Sequence, residues 1–143
     1  MLDLAAEGRF DAMPPTLGEA EVRTLQAMKT GALLRFACHA GAILGGANQN
    51  RSNALDRYGS ALGEAFQIAD DLLDLEGDPA TVGKATHKDA AAHKATLVGV
   101  LGPAAARRRL AALISEAQTA LDPFGSDADT LKAAARFVAT RSV

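Results

Sequence analysis

The chain has 143 residues, a length that suits one domain with its own core. Its 17 acidic and 15 basic side chains give a formal net charge of −2, which predicts no general affinity for nucleic acid. Alanine and leucine are abundant and strand-favouring residues are few, which predicts an all-α fold. The single cysteine, Cys38, excludes an internal disulfide and fits a cytoplasmic protein, and the lack of a run of about 18 apolar residues predicts no membrane span.

The first elements are helical patterns separated by helix-breaking residues. Residues 1–7 show a helical pattern that resembles the last turns of an amphipathic helix whose beginning precedes the chain. Pro14 and Pro15 cannot continue a helix. Thr16 is followed three residues later by Glu19, a capping-box pattern that predicts the start of the next helix.

A long apolar run, "MKTGALLRFACHAGAILGG", follows this helix start. Gly31 lies inside the run and predicts a break or a close packing contact near Lys29 and Thr30. Gly45 and Gly46 are expected to end the run. Lys29, a polar start to such an apolar stretch, is therefore a candidate for contact with a ligand.

The second half of the chain predicts further helices around one long loop. Asn53 is the expected cap of the helix that contains "FQIADDLLD", residues 66–74. Residues 76–93, "EGDPATVGKATHKDAAAH", have the composition of a loop, and long loops in compact domains are usually functional or mobile. Later helices are expected at about 94–101, 103–121 and 127–140. These amphipathic helices predict a helical bundle.

Three aspartates stand out within the apolar stretch 66–74. Asp70 and Asp74 are four residues apart and share one helix face, whereas Asp71 is rotated by about 100°. Like charges at this spacing repel unless a cation lies between them, and magnesium prefers oxygen ligands together with water and phosphate oxygens. An Asp-rich face of this kind can hold a diphosphate through bridging magnesium ions, although a solvated acidic edge has the same spacing. A di-iron site is excluded because the sequence has no Glu-x-x-His pair.

Lysines at three places favour the diphosphate interpretation. Lys29 begins the apolar run, and Lys84 and Lys94 follow the aspartate helix at intervals of ten residues. Lysine is a common point-charge ligand for phosphates. Gln67 lies three residues before Asp70, near the same helix face, and could donate to a ligand.

Several of these stretches resemble a known family in order and spacing. "KTGALL", "YGSALGEAFQIADDLLDLEGD", "GKATHKDAAAHKATL" and "LG" before "AAARRRLAALISEA" are similar to the C-terminal half of trans-prenyl diphosphate synthases, the farnesyl and geranylgeranyl diphosphate synthases. The similarity extends from Leu2 to Arg141, and the ending "LKAAARFVATR" looks most like the bacterial short-chain, farnesyl-type members.

This resemblance implies an all-α bundle of the isoprenoid synthase type. Residues 1–143 would form a single domain that is its C-terminal part, and the N-terminal half, with the family's first aspartate-rich motif, would be absent. The implied reaction is the magnesium-dependent condensation of an allylic diphosphate with isopentenyl diphosphate to a short-chain, farnesyl-type product. The complete enzyme would be a cytoplasmic homodimer.

The resemblance also implies roles for nine residues. The implied metal ligands are Asp70, Asp71 and Asp74. The implied catalytic residues, at the diphosphate and the site of the allylic cation, are Lys29, Thr30 and Gln67. The implied substrate-binding residues are Lys29, Phe66, Lys84 and Lys94, with Phe66 bordering the isopentenyl site.

Three interpretations of the chain as a whole remain open at this point. It is a piece of an ordinary synthase that lacks activity alone, or a non-catalytic half-length partner of a complete synthase, or an unrelated helical bundle whose aspartates are structural. In the first two cases apolar faces that the missing helices cover would be exposed.

Overall fold

The computed structural model of the chain describes residues 18–76 and 96–141. The predicted helix at 1–7 and almost all of the predicted loop at 76–93 lie outside these ranges. Across the described residues there are α-helices and no strand, so the all-α prediction is confirmed. The helices are α1 (Glu19–Gln26), α2 (Ala32–Leu44), α3 (Gln49–Glu76), α4 (Leu97–Leu101), α5 (Pro103–Ala120) and α6 (Asp129–Thr140).

Two short segments join helices without a long loop. A π turn, Ala27–Gly31, connects α1 to α2. A 3-10 segment, Asp122–Ala128, connects α5 to α6, and Pro123 lies in its first turn. Because proline lacks an N–H, it is tolerated at such a start. The predicted last helix therefore begins at Asp129, two residues later than expected.

The start of α1 differs from the predicted capping box. Gly18 precedes the helix, and its backbone N–H donates to Glu21 Oε2 over 2.8 Å. Thr16 lies outside the described residues, and Glu19 instead forms an ion pair with Arg23 at 3.7 Å. The prediction that Glu19 caps this helix was wrong, because the first helical residue is Glu19 itself and the third position, where the reciprocal contact is made, is occupied by Glu21.

The start of α3 was also mispredicted. Asn48 caps it, since the Arg51 N–H donates to Asn48 Oδ1 over 3.0 Å. Asn53 lies one turn inside the helix, where its Oδ1 accepts from Gln49 Nε2 at 2.8 Å. Both asparagines suit a cap, but α2 ends at the Gly45–Gly46 turn, as predicted, and the helix starts as soon as this turn is complete.

The long helix α3 packs against both α2 and α5 and forms the centre of the bundle. The largest fully buried side chains include Tyr58 and Ile68 of α3 and Leu113 of α5. Tyr58 donates its hydroxyl to the Leu131 carbonyl at 2.9 Å, which joins α3 to α6. Burial raises the pKa of Tyr58 to about 12, so this hydroxyl remains a donor at physiological pH. The side chains that α3 buries thus hold it in one position relative to its neighbours.

One carboxylate connects three helices on another side of the bundle. Glu64 of α3 accepts from Arg23 of α1 at 3.0 Å, and from Nε and Nη2 of Arg109 of α5 at 2.8 and 3.2 Å. The side chain of Glu64 is 20% exposed. Its hydrogen bond raises the pKa of Arg109 above the ordinary arginine value. Charge-assisted contacts of this kind orient α1 and α5 on α3.

One face of α2 is apolar and exposed. Leu33, Phe36, Ile43 and Leu44 lie on this helix, and Leu44 is 88% exposed. Met28, in the preceding turn, is exposed too. Contiguous apolar surface of this kind is typical of a face that another protein segment covers. No helix within residues 18–76 and 96–141 is long and apolar enough to cross a membrane.

Candidate functional site

The predicted break near Lys29 and Thr30 is present. The π turn Ala27–Gly31 interrupts the path from α1 to α2, and Lys29 has a non-helical backbone with φ −92° and ψ −111°. Turns of this type inside helices are frequent at functional sites. Lys29 is exposed, Thr30 is half-buried and Gly31 is buried.

Two contacts attach this turn to α3. At its beginning, Gln26 Nε2 donates to Asp71 Oδ2 over 3.1 Å. At its end, the backbone of Gly31 lies so close to Gly63 that a methyl group at position 63 would be 2.7 Å from Gly31 Cα. Because these contacts pair an early residue with a late one, the turn runs antiparallel to α3.

The two contacts determine which part of α3 the turn faces. Gly63 and Asp71 are eight residues apart, or about 12 Å along a helix axis. The backbone of Lys29 and Thr30 lies between the two contacts, alongside the turns of α3 that carry Gln67 and Asp70. Residues predicted separately from two parts of the sequence are thus brought to one region.

The aspartates of α3 differ in their surroundings. Asp70 is 57% exposed, and its Oδ1 lies 3.4 Å from Arg141 Nη2 at the end of α6. Asp71 is half-buried and accepts the hydrogen bond from Gln26 of α1. Asp74 is exposed. Asp70 and Asp71 therefore face different neighbours, as their rotation around the helix requires.

Arg141 covers Phe66 and was not recognised from the sequence. Its guanidinium carbon lies 4.1 Å from the centre of the Phe66 ring, and Nη2 donates to the Phe66 carbonyl at 3.3 Å. The Arg141 side chain is only 18% exposed. An arginine held on an aromatic face and beside a carboxylate is a local positive charge within the candidate site. Its position 71 residues after Asp70 left no short-range signal in the sequence.

The carboxylates fit part of a magnesium site. Asp70 and Asp74 offer exposed oxygen atoms from one helix face, the donor chemistry that magnesium prefers. Within the described ranges, no group of three or more acidic, histidine or cysteine side chains is arranged to hold a metal ion by itself. Magnesium usually keeps water and phosphate oxygens in its shell, so one or two carboxylates from this helix suit it.

Other predicted residues are placed less completely. Gln67 and Phe66 are half-buried on α3. Lys84 and Lys94 lie outside the described residues, so their roles stay predictions. A groove of about 650 Å³ lies beside the π turn and is lined partly by Arg35, Phe36 and Glu64, and it includes none of the predicted site residues. Gln26 and Gly31 also line the groove, so it adjoins the contacts that attach the π turn to α3, although none of the three aspartates lines it.

Comparison with known proteins decides the family. The family model described as polyprenyl synthetase matches residues 1–126. The chain belongs to the polyprenyl synthetase family. The interpretation of the aspartates as part of an unrelated helical bundle is therefore wrong, and the resemblance seen in the sequence is confirmed.

Individual polyprenyl synthetases give the same result. The chain is 37% identical to a farnesyl diphosphate synthase from Geobacillus stearothermophilus over 97% of its own length and 45% of that protein. It is 34% identical to a geranylgeranyl diphosphate synthase from Cyanophora paradoxa over 99% of its length and 46% of that protein. The crystal structure of an FPP/GFPP synthase from Zymomonas mobilis in its apo form superposes with a TM-score of 0.79 and 39% identity, covering 96% of this chain and 42% of that one.

These polyprenyl synthetases are about twice as long as the region that matches. The chain spans less than half the length of each of these relatives. Relatives named for farnesyl and for geranylgeranyl products are almost equally similar to it. The structural similarity confirms the isoprenoid synthase type of bundle, and the activity of the whole protein is a separate question.

Proposed function

We propose that this polyprenyl synthetase chain forms one wall of a magnesium-dependent site that condenses an allylic diphosphate with isopentenyl diphosphate to a short-chain, farnesyl-type diphosphate. The position of the Lys29–Thr30 turn alongside Gln67 and Asp70 supports this proposal most directly, because a cationic side chain and the predicted metal ligands then border one region. Family membership supplies the reaction class.

In this proposal the aspartates of α3 hold the metal. Asp70 and Asp74 present oxygen atoms from the same helix face, and Asp71 acts partly through water while it accepts from Gln26. Bound magnesium would supply positive charge that stabilises the diphosphate leaving group. A bound dication would also reduce the repulsion between the like charges of these carboxylates on one helix.

The remaining predicted residues bind and orient the substrates. Lys29, together with Lys84 and Lys94, holds the allylic diphosphate through its ammonium charge. Thr30 and Gln67 line the region of the allylic cation and orient their side-chain dipoles toward it. Phe66 borders the isopentenyl site, where an aromatic side chain keeps water away from the reacting carbons.

The other wall of the site belongs to a segment like the remaining half of the relatives. Residues 1–143 would then be one domain, the C-terminal part of the bundle, and would lack activity alone. The exposed apolar face of α2 supports this arrangement, because it offers a surface for further helices. A cytoplasmic location and a homodimer of the complete enzyme are parts of the same proposal.

Asp70→Asn in the 143-residue chain tests the metal assignment without requiring turnover. Asparagine keeps the size of the side chain and removes its charge, so affinity for magnesium pyrophosphate should fall by about tenfold or more. Isothermal titration calorimetry measures this affinity. Asp129→Asn, a change of the same type at the start of α6, serves as the control and should bind like the wild type. Wild-type affinity in Asp70→Asn would contradict the metal assignment.

Turnover requires the second wall and needs its own assay. The chain would be mixed with the half of the Geobacillus synthase that the similarity leaves uncovered, and labelled isopentenyl diphosphate would be followed into product. Turnover that Asp70→Asn abolishes supports a catalytic half. A stable complex that binds magnesium pyrophosphate without turnover instead supports the non-catalytic partner interpretation.

A further inference from the structure

Two glycines of α3 allow a close approach of the chain segment formed by the π turn and α2. A methyl group at Gly59 would lie 2.9 Å from Arg35 Cα and 3.2 Å from Cys38 Sγ, both on α2. A methyl group at Gly63 would lie 2.7 Å from Gly31 Cα, with the Gly31 carbonyl oxygen and carbon at 3.5 and 3.6 Å. The first contact concerns the body of α2, and the second concerns backbone at the end of the π turn.

The contact at Gly63 cannot be relieved by moving a side chain. Its three nearest neighbours are all backbone atoms of Gly31. Any side chain at position 63 must therefore push the turn away from α3. Because Gln26 still binds Asp71 at the other end of the turn, the displacement would fall on the residues between the two contacts, which include Lys29 and Thr30.

Gly63 and Asp70 are seven residues apart on α3, so two full turns separate them and they share nearly the same face. The helix that carries the predicted metal ligand thus also sets how close the lysine turn lies. At position 31 itself, a side chain would meet less steric hindrance than at position 63. A methyl group at Gly31 would meet only Gln26 O at 3.5 Å and Ala27 Cβ at 3.9 Å, which are ordinary contacts.

We propose that Gly63 is a positioning residue of the diphosphate site. Together with the Gln26–Asp71 hydrogen bond, its contact with Gly31 holds Lys29 and Thr30 at the distance from Asp70 that a shared ligand requires. This inference rests on the proposed function for the identity of the ligand, magnesium pyrophosphate. The contact itself and its effect on the turn are independent of that ligand.

The test compares two alanine variants of the full 143-residue chain. Gly63→Ala should displace the turn. Gly59→Ala is the matched control, because it introduces a similar clash on the same helix but against the body of α2. Two quantities are measured for each variant, the amide NMR shifts of residues 29–31 and the dissociation constant for magnesium pyrophosphate.

We expect the amide signals of residues 29–31 to move in Gly63→Ala and its affinity for magnesium pyrophosphate to fall by about tenfold. Gly59→Ala should lower the melting temperature by a similar amount and leave the affinity within about twofold of the wild type. A general loss of packing would weaken binding equally in Gly59→Ala and Gly63→Ala, and that result would overturn the proposal.

The structural and ligand outcomes remain distinguishable. If the wild-type chain does not bind magnesium pyrophosphate, the proposed function fails, and the amide shifts still decide whether Gly63 positions the turn. If Gly63→Ala does not fold, Gln26→Met removes the hydrogen bond at the other end and should move the same amide signals. Unchanged signals of residues 29–31 in the variant examined would overturn the proposal.

Discussion

Replacing Arg141 with glutamine should change stability and metal affinity in opposite directions. Arg141 lies against the Phe66 ring and beside Asp70. Its guanidinium charge offsets the Asp70 carboxylate but also repels an arriving dication. Glutamine keeps some of the length of the side chain and removes the charge.

The size of the effect follows from the distance between the charges. Two unit charges 3.4 Å apart interact by about 1 kcal/mol in water. The value for water applies because Asp70 is 57% exposed. An energy of about 1 kcal/mol corresponds to about fivefold in a dissociation constant. Arg141→Gln should therefore bind Mg²⁺ by itself about fivefold more tightly, while the loss of the ion pair and of the cation–π contact lowers the free energy of unfolding by about 1 kcal/mol.

Calorimetric titration and urea denaturation measure the two effects on the same samples. Arg108→Gln is the control, since Arg108 is an exposed arginine of α5 and the substitution changes the net charge equally. The titration is repeated at higher salt, where the difference between the two variants should shrink because exposed charges are screened.

Equal affinities in the Arg141→Gln and Arg108→Gln variants would show that metal affinity depends only on the net charge of the chain. Weaker binding in Arg141→Gln would contradict the reasoning more strongly. In that case Arg141 would not compete with the metal for Asp70.

Two stability predictions concern ion pairs away from the candidate site. Glu64→Gln should lower the free energy of unfolding by about 2 kcal/mol. This is less than for a fully buried ion pair, because Arg23 and Arg109 still reach water. Urea denaturation measures the free energy of unfolding, and a change below about 0.5 kcal/mol would contradict the bridging role of Glu64. Hydrogen bonding from Arg35 holds the pKa of Asp56 below its ordinary value of 3.8. A carboxyl group with a lowered folded-state pKa stabilises the fold above its unfolded pKa and loses this contribution as pH falls through the folded pKa. The difference in stability between the wild type and Asp56→Asn should therefore be present at pH 7, begin to fall below about pH 4 and disappear once the pH is below the lowered pKa of Asp56. A difference that stays constant over this range would refute the assignment.

Short-range patterns in the sequence predicted much of the fold. Gly31 indicated the break beside Lys29, and Gly45 and Gly46 indicated the end of α2. The spacing of Asp70 and Asp71 predicted that they face different neighbours. These predictions succeeded because helix geometry and backbone preferences act over a few residues, which a single sequence displays directly.

The same local rules failed where two residues could serve equally well. Asn48 and Asn53 both suit a helix cap, and the sequence alone favoured the wrong one. Glu21 rather than Glu19 makes the capping contact of α1 for a related reason, since a shift of the first helical residue changes which side chain can reach the cap.

Only the tertiary structure decided which distant residues share the candidate site. Arg141 contacts Asp70 across 71 residues of sequence, and Gln26 reaches Asp71 across 45. Gly63 had no evident role until its backbone contact with Gly31 was seen. The sequence by itself determined the helices, the kink and the type of each candidate site side chain, because these depend on local geometry and chemistry. The distances between them depend on how α1, α3 and α6 pack, and packing is decided by buried contacts over the whole bundle.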